Sequence, residues 1–248
     1  MSDFIIGRNS ILEYLENTDG AKSLLVQKGD NKGITNKIID IANKKNIPIK
    51  YVDKKLLDKK SDYSSHQGVF LEIEEYKYFN LEEIIEYGNQ QDRDPLVIIL
   101  DGITDPHNLG AIIRTAEAAG ATGVIIPKHR AASVNHTVHK TSAGATTYMR
   151  IAMVTNINNA IDELKDNGYW IYGADGHTDK EYTSLDYTGS VGLVIGNEGK
   201  GISRLTKEKC DELIKIPMYG KTESLNASTS AAILIYGVID NRRRNSEK

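Results

Sequence analysis

Short, uninterrupted apolar runs alternate with helical patterns through residues 96–241, and this alternation constrains the fold more than any other feature. The strongest run is LVIIL at 96–100, and further runs stand at 123–126, 170–173, 191–195 and 213–217. Continuous apolar runs of this length are typical of strands buried on both faces. Helical patterns follow at 109–119, 157–166, 206–210 and 227–241. We therefore predict an α/β fold whose parallel sheet is covered by helices on both sides.

The first part of the chain has a shorter pattern of the same kind. Helical periodicity stands at 10–15 and 34–45, and strand patterns stand at 23–27, 49–52 and 68–73. These elements predict a small α/β domain of about 75 residues, which is near the lower limit for an independent core.

The stretch between the two patterns predicts a domain boundary. Residues 78–95 carry five acidic side chains and one basic side chain, and they end in the polar run GNQQDRDP. We interpret this stretch as a connector that contains a helix and ends in a loop. The predicted organisation is a first domain at 1–77, a linker at 78–95 and a second domain at 96–248.

Composition excludes several classes of protein. The chain has 31 Lys and Arg against 34 Asp and Glu, a formal charge of −3, so it is not a uniformly basic protein that coats nucleic acid. Its single cysteine, Cys210, excludes a disulfide framework. No apolar run reaches the roughly 20 residues that span a bilayer, and charges interrupt the apolar N-terminal stretch. We expect a cytoplasmic protein without a membrane partner.

Three unusual loops follow predicted strands of the second domain. They are residues 101–110, leading into a helix that carries Arg114, the glycine-rich segment 196–201, and residues 218–226. Ligands of open parallel sheets bind beyond the carboxyl ends of the strands. Any one glycine-rich loop could be a plain surface turn, but three such loops predict a ligand site.

Common catalytic motifs do not account for these loops. A phosphate-binding P-loop needs a glycine where Val194 stands and Ser or Thr where Gly201 stands. No G-x-G-x-x-G follows the first strand of the sheet, and Ser224 has no G-x-S-x-G context. His136 and His139 are spaced H-x-x-H, yet no acidic or cysteine ligand is close in sequence, so we expect no metal.

Together the loops resemble the three motifs of the SpoU/TrmH family of RNA ribose 2′-O-methyltransferases, in the SPOUT superfamily. The matching segments are DPHNLGAIIRTAEAAGA at 105–121, LVIGNEGKGIS at 193–203 and IPMYGKTESLNASTSAAILIY at 216–236. Order, spacing and strand context agree over residues 95–244. The segment SSHQGVFLE at 64–72 resembles part of the family's ribosomal-protein-like substrate-binding domain.

The resemblance implies a fold and a cofactor. The second domain is expected to be a SPOUT domain with a deep trefoil knot, and its knotted loops to bind S-adenosylmethionine as the methyl donor. The implied cofactor contacts, largely through backbone groups, are Gly196, Ile216, Leu225, Gly173, Asn197 and Met218. Their residue types alone leave open that Ile216 and Leu225 are core residues.

The resemblance also implies catalytic residues, which are Asn108, Arg114, Glu198, Ser224 and Asn226. The hydroxyl must align with the donated methyl group and lose a proton. A guanidinium stays protonated at neutral pH, so our hypothesis is that Arg114 binds a phosphate and lowers the pKa of the hydroxyl, with any proton transfer brief. We expect Arg114 and Asn108 to face the same strand end, although Arg114 could instead form a surface salt bridge.

The roles of the other three residues stay open at this point. Ser224 and Asn226 precede a helix, where N-capping is the competing explanation, and either residue could do both. Glu198 could orient Arg114 or the loop, or be only a turn carboxylate.

RNA contacts are expected in the first domain, where residues 37–60 hold eight Lys against three Asp. The candidate residues are Lys44, Lys45, Lys54 and Lys55, with Arg8, His66 and Gln67 as weaker ones. A solvated helix face is the alternative. The run Arg242–Arg244 could equally neutralise the end of the last helix.

The last predicted helix, 227–241, is apolar on more than one face, which favours burial on two sides and a homodimer interface as in the family. The sequence most resembles the family members that methylate a guanosine of 23S rRNA. A tRNA substrate and a catalytically inactive RNA-binding module are the alternatives. The expected partner is RNA and not DNA.

Overall fold

In a computed structural model, the chain is described for residues 4–17, 20–30, 32–61 and 63–247. Contacts between residues divide it into two compact units, residues 1–76 and 77–248. Within the described ranges, no helix is long and apolar enough to cross a membrane.

The described residues of the first unit form a four-stranded sheet with three helices. Its elements in chain order are β1 (Phe4–Ile6), α1 (Arg8–Asn17), β2 (Ala21–Gln27), α2 (Ile34–Lys44), β3 (Ile49–Val52), α3 (Lys54–Lys60) and β4 (Val69–Ile73). The strand order is β1-β4-β2-β3, in which β2 and β3 are parallel and β4 is antiparallel to both β1 and β2. The core lies between the sheet and helices α1 and α2, and includes Ile11, Leu15, Leu24, Ile38 and Leu71.

The second unit contains a six-stranded sheet and six helices. Its elements are α4 (Leu81–Asn89), β5 (Leu96–Asp101), α5 (Pro106–Ala118), β6 (Gly123–Pro127), α6 (His136–Thr141), β7 (Ile151–Val154), α7 (Ile157–Asp166), β8 (Trp170–Ala174), β9 (Val191–Gly196), α8 (Arg204–Lys209), β10 (Glu212–Ile214) and α9 (Ala227–Ser246). The strand order is β10-β8-β9-β5-β6-β7, and every pair is parallel. The prediction of a parallel sheet is confirmed.

Helices cover both faces of this sheet, because both sets of alternating side chains on β5 are buried. Val97 and Ile99 pack with residues of α4 and α7 on one face. Leu96, Ile98 and Leu100 point to the other face and are equally buried. On that side α5 packs against β6, α9 packs against β9, and the two helices contact each other.

The segment 78–95 differs from the predicted linker, because it belongs to the second unit. Its helix α4 begins with a capping box between Asn80 and Glu83 and places Leu81, Ile84 and Ile85 in the core of that unit. Three of the five acidic residues that suggested a connector lie on the exposed face of α4, and the other two, Asp92 and Asp94, are exposed in the loop after it. The apolar residues of α4 are spaced at i, i+3 and i+4, which is the pattern of a helix with one buried face. The number of acidic residues in 78–95 drew attention away from this pattern.

Four short elements were not predicted: β1, α3, α6 and β7. Each has between three and seven residues, too few to display a clear periodicity. The close packing of α6 on α5 depends on Gly110, where a Cβ would lie 1.9 Å from Oγ1 of Thr141.

Candidate active site

Strands β5 and β9 end side by side at the carboxyl edge of the sheet. Asp101 is level with Gly196 in their parallel register. The Asp101 carboxylate accepts a hydrogen bond from the backbone N–H of Ser203 at 2.8 Å, and the Asn197 side-chain amide donates to the Gly102 carbonyl at 3.0 Å. These two bonds fasten the loop after β9 to the loop after β5.

The loop after β9 is closed on itself. Backbone bonds of 3.2 and 2.8 Å join Asn197 and Gly201 in both directions, and the Asn197 side chain accepts from the N–H of Gly199 at 3.0 Å. A Cβ on Gly196 would lie 2.1 Å from the carbonyl carbon of Gly201. Glycine at 196 is therefore required by the turn itself, and the turn holds Glu198 at its tip.

Helix α5 brings Asn108 to this loop. Asp105 caps the helix by accepting from the N–H of His107 at 2.9 Å, and Pro106 takes the first helical position, where its missing N–H costs nothing. Asn108 is only 9% exposed. Its amide Nδ2 donates to the Glu198 carboxylate, and its Oδ1 accepts from Nδ2 of Asn226 at 3.1 Å. Asn108 thus connects residues from all three predicted motifs.

Asn226 performs two tasks. Its Oδ1 caps α9 by accepting from the N–H groups of Ser228 and Thr229 at 2.9 and 3.4 Å, while its Nδ2 bonds Asn108. The capping explanation therefore holds for Asn226, and its bond to Asn108 is compatible with a site role, which stays a prediction. Ser224 is exposed and lies outside this hydrogen-bonded chain.

Arg114 is not joined to the other predicted catalytic residues within one subunit. Its side chain is exposed, and no hydrogen bond or ion pair links it to the described part of the chain. Six residues along a helix turn through about 600°, which places Arg114 about 120° from Asn108 around the axis. Within one subunit Glu198 contacts Asn108 instead of Arg114, and a shared role of Arg114 and Asn108 at one strand end stays a prediction.

The predicted cofactor residues follow the ends of three neighbouring strands, β8, β9 and β10. Gly173 is buried, and a Cβ there would lie 2.7 Å from Sγ of Cys210, so packing alone requires a glycine. Ile216 and Leu225 are half-buried and Met218 is exposed, so none of these three apolar side chains is fully buried in the core.

The H-x-x-H pair on α6 is not part of a cluster of metal ligands among the described residues. His139 Nδ1 lies 2.7 Å from Oγ1 of Thr146, and burial lowers the pKa of this imidazole. Across the described residues, no group of three His, Cys, Asp or Glu side chains is arranged to hold a metal ion.

Four of the predicted RNA contacts, Arg8, Lys54, His66 and Gln67, line one cleft of the first unit. Lys44, Lys45 and Lys55 lie outside its lining. His66 is 5% exposed, and both of its ring nitrogens are bonded: Nδ1 accepts from the N–H of Gly68 at 3.0 Å, and Nε2 donates to Asp58 at 2.9 Å. It therefore supports the cleft wall and has no free polar atom for RNA.

Sequence reasoning missed residues that shape both places. Asp101 and Gly102 anchor the loop after β9, and a polar residue directly after a buried strand was the signal for Asp101. Tyr63 lines the cleft of the first unit and is 81% exposed. No periodicity or motif marks an isolated exposed tyrosine.

The fold and the candidate site are typical of a two-domain protein that binds a ligand. It has a small α/β unit with a polar cleft and a parallel α/β unit whose strand ends carry amides, a carboxylate and glycine-rich loops. Such an arrangement binds and orients a polar ligand at the carboxyl edge of the sheet.

Comparison with known proteins gives a family. The SpoU rRNA Methylase family matches residues 95–236, and the family described as RNA 2′-O ribose methyltransferase substrate binding matches residues 4–79. YacO of Bacillus subtilis, named as a TrmH family tRNA/rRNA methyltransferase, is 41% identical over 98% of this chain and 96% of its own. A Staphylococcus saprophyticus protein named in the same way is 44% identical over 97% and 96%.

Solved structures agree with this result. The SpoU methyltransferase AviRb from Streptomyces viridochromogenes superposes with a TM-score of 0.65 and 25% identity, covering 100% of this chain and 91% of that one. AviRb has also been solved in complex with the cofactor AdoMet. The chain belongs to the SpoU/TrmH family of RNA methyltransferases, which confirms the family predicted from the three motifs.

Proposed function

We propose that this protein transfers a methyl group from S-adenosylmethionine to a ribose 2′-hydroxyl of RNA. The observation that carries the proposal is the hydrogen-bonded chain from Glu198 through Asn108 to Asn226. It joins three strand-end loops at the edge where ligands of parallel sheets bind. A chain of this kind fixes a carboxylate and two amides in one orientation, as a site that must align two substrates requires.

The residues at the strand ends suit S-adenosylmethionine. Half-buried Ile216 and Leu225 and the exposed side chain of Met218 offer apolar surface for an adenine ring. Gly199 and Gly220 lie where a Cβ would meet at most one side-chain atom within 4 Å, so a ligand can approach the backbone there. The complex of AviRb with AdoMet supports the assignment. We assign cofactor contacts to Gly196, Asn197, Ile216, Met218 and Leu225, and only a packing role to Gly173.

The chain's own groups would act on the ribose. Bound S-adenosylmethionine supplies an electrophilic methyl group on a sulfonium. The ribose 2′ oxygen must point at that methyl group and lose its proton as the oxygen–carbon bond forms. Arg114 would bind a neighbouring phosphate, donate toward the 2′ oxygen and stabilise its developing negative charge. Asn108 would hold Glu198 and Asn226 in place, and Ser224, exposed in the loop before α9, would contact the nucleotide.

The position of Arg114 favours a site shared between two copies of the chain. Arg114 is exposed, is not bonded to Asn108 and has no partner within the described residues. One face of α9 is buried, while Tyr236 is 49% exposed and Ile233 is only half-buried. We propose a homodimer formed at α9 and α5, in which Arg114 of one copy completes the site of the other.

Further features rest on family membership. We propose that the segment from β9 to α9 forms the deep trefoil knot of SPOUT domains, and that the first unit has the ribosomal-protein-like fold and binds the RNA. Lys44, Lys45, Lys54 and Lys55 would contact phosphates there. The curated relatives are bacterial proteins named for tRNA or rRNA, which supports a cytoplasmic site of action.

For the substrate we propose a guanosine of 23S rRNA, on the resemblance of the whole sequence. The relatives' names support tRNA equally. Labelled methyl transfer to unmodified 23S rRNA and unmodified tRNA in parallel, followed by nucleoside mass analysis, distinguishes the two. We expect 2′-O-methylguanosine in 23S rRNA alone. Label only in tRNA would show that tRNA is the substrate. Label in neither RNA, from a protein that binds S-adenosylmethionine, would favour an inactive RNA-binding module.

A further inference from the structure

A polar cleft of about 590 Å³ opens in the first unit, formed by residues of that unit only. Its walls come from the loop after β2, the start of α3 and the segment 63–68 before β4, together with Arg8. Clefts that bind small ligands or single building blocks measure about 300–1,000 Å³. The cleft therefore has the size for one nucleotide and is too small for a helical duplex.

Hydrogen bonds and an ion pair hold Arg8 in one wall of the cleft. Its Nη2 forms an ion pair with the Asp30 carboxylate at 2.7 Å, and its Nε donates to the backbone carbonyl of Gln67 at 3.0 Å. The backbone N–H of Arg8 donates to Oε1 of Gln67, also at 3.0 Å. Because Oε1 is the atom that accepts, the amide Nε2 of exposed Gln67 keeps two donors for a ligand.

The floor of the cleft is rigid as well. The Nδ1 atom of buried His66 accepts from the N–H of Gly68, so the ring proton lies on Nε2 and is donated to Asp58. Gly68 has φ +80°, and a Cβ there would lie 2.3 Å from Oδ2 of Asp30. His66 and Gly68 thus tie the segment before β4 to both Asp58 and Asp30.

Two residues that are not glycine hold left-handed backbone conformations at the rim, Tyr63 at φ 57° and Gln67 at φ 53°. Such conformations cost free energy and persist where the surroundings impose them, often at binding sites. Here they present an aromatic ring and an amide to the same cleft. Tyr63 is 81% exposed, so its ring is open to a ligand.

One lysine that lines the cleft is available to contact a phosphate. Asp30 is paired with Arg8, and Asp58 accepts a hydrogen bond from Nε2 of His66. Lys28 is paired with Asp53 at 3.1 Å. Lys54 is exposed and has no ion pair or hydrogen bond within the described ranges, so its ammonium group is available.

We propose that this cleft binds one unpaired nucleotide of the RNA substrate. Tyr63 stacks on the base, the Gln67 amide donates to the base edge, and Lys54 contacts the adjacent phosphate. Unpaired bases are the parts of RNA that proteins recognise by stacking on aromatic rings and by hydrogen bonds to base edges. The proposal rests on the proposed RNA methyltransferase function and adds a second RNA contact to it, made by the first unit.

The test measures binding of labelled single-stranded RNA of mixed sequence, and of the same sequence as a duplex, to the full chain without S-adenosylmethionine. Tyr63→Ala is expected to weaken single-strand binding by about 5- to 150-fold, because stacking on an aromatic ring contributes that much per base. The duplex affinity should not change. A 2-aminopurine base in the strand should lose its fluorescence change with Tyr63→Ala.

Matched variants separate stacking from general damage. Tyr63→Phe keeps the ring and should bind as the wild type does. Tyr51→Ala removes another exposed tyrosine of the same unit, outside the cleft lining, and should have no effect. Lys54→Gln should lower the slope of log affinity against log salt by about 0.7, whereas Lys59→Gln, outside the lining, should not.

Unchanged single-strand binding by Tyr63→Ala, or an equal loss with Tyr51→Ala, would overturn the proposal. The experiment is independent of catalysis. If Tyr63→Ala weakens binding but no RNA is methylated, the cleft stands and the proposed function fails. If RNA is methylated and Tyr63→Ala binds normally, the proposed function stands and the cleft assignment fails.

Discussion

At the scale of single residues, Asn108 has the most constrained position in the site. It is nearly buried, and its two side-chain polar atoms bond different loops, Nδ2 to Glu198 and Oδ1 to Asn226. No other side chain type of similar size offers a donor and an acceptor on one planar group. Aspartate would place two carboxylates against each other, and leucine would leave both partners unpaired.

Arg114 is predicted to serve transfer and not cofactor binding. Arg114→Ala should lower the methyl transfer rate by at least about 100-fold, because the developing charge on the 2′ oxygen loses its donor. The affinity for S-adenosylmethionine, measured by calorimetry, should not change. Arg204→Ala, which removes an exposed arginine of α8, is the control. Loss of cofactor binding in Arg114→Ala would contradict the assigned role.

Cys210 is predicted to be chemically inert in the folded protein. Burial raises the pKa of its thiol to about 12, and the nearby Asp211 acts in the same direction. The thiolate is the reactive form, so at pH 8 alkylation should be at least about 100-fold slower than in the urea-unfolded chain. Iodoacetamide labelling followed by mass spectrometry measures both rates. Similar rates in the two states would show that the thiol is accessible and ionised.

At the scale of helices and strands, long elements with apolar patterns were predictable. The strand at 49–52 and the helix at 157–166 have the expected bounds, and β5 extends its predicted run by one residue. The helix predicted from 109 begins at Pro106, because Asp105 and Pro106 are strong start signals that the apolar pattern does not include. Short elements such as α6 are held by packing against α5, which local sequence does not specify.

Three of the five predicted catalytic residues are joined in the structure, while Arg114 and Ser224 are not joined to them. Motif positions brought Asn108, Glu198 and Asn226 into one set, and the structure joins them. The orientation of Arg114 depends on helical phase, which motif positions do not give, and no contact within the described residues joins Arg114 to Asn108. The anchoring bonds from Asp101 and Asn197 depend on β5 and β9 being neighbours in the sheet, and apolar patterns do not specify strand order.

Arg242 is predicted to stabilise the end of α9. Its guanidinium donates to four backbone carbonyls, those of Asp94, Pro95, Tyr187 and Gly189, at 2.7 to 3.0 Å. Burial lowers the pKa of Arg242, and the nearby Asp94 opposes this effect. Arg242→Met removes these four hydrogen bonds, although the Pro95 carbonyl still accepts from the N–H of Val191, and should reduce the free energy of unfolding by about 2–4 kcal/mol.

Urea unfolding followed by the fluorescence of Trp170, the chain's single tryptophan, measures this change in the second unit. Arg243→Met is the control, because Arg243 is exposed and pairs with Asp240 on the surface of the same helix. Its effect should stay within about 0.5 kcal/mol. Equal effects of the two substitutions would show that Arg242 only adds charge near the helix end.

At the scale of the whole molecule, the shared site predicts complementation between inactive copies. Arg114→Ala and Glu198→Gln should each abolish activity alone. In a mixed dimer, one site combines the intact Arg114 of one copy with the intact Glu198 of the other. A mixed dimer therefore has one complete site out of two, and the isolated mixed dimer should show about half of the wild-type activity.

The mixture should be prepared by co-expression with two different affinity tags, and the doubly tagged dimer should be assayed for methyl transfer. Two copies of Arg114→Ala carrying the two tags provide the inactive control. If the doubly tagged dimer recovers no methyl transfer activity, Arg114 and Glu198 of one chain act in the same site. If no doubly tagged dimer can be isolated, the proposed homodimer is wrong.

The central claim is that the strand-end site methylates a ribose oxygen. Alkali cleaves RNA through the free 2′-hydroxyl, so a 2′-O-methyl group blocks cleavage at its own linkage, whereas a methyl group on a base does not. RNA labelled from S-adenosylmethionine should therefore release its label in alkali-resistant dinucleotides, and the Asn108→Ala enzyme should transfer little or none. Label recovered in mononucleotides would contradict the account, because it would show methylation of a base.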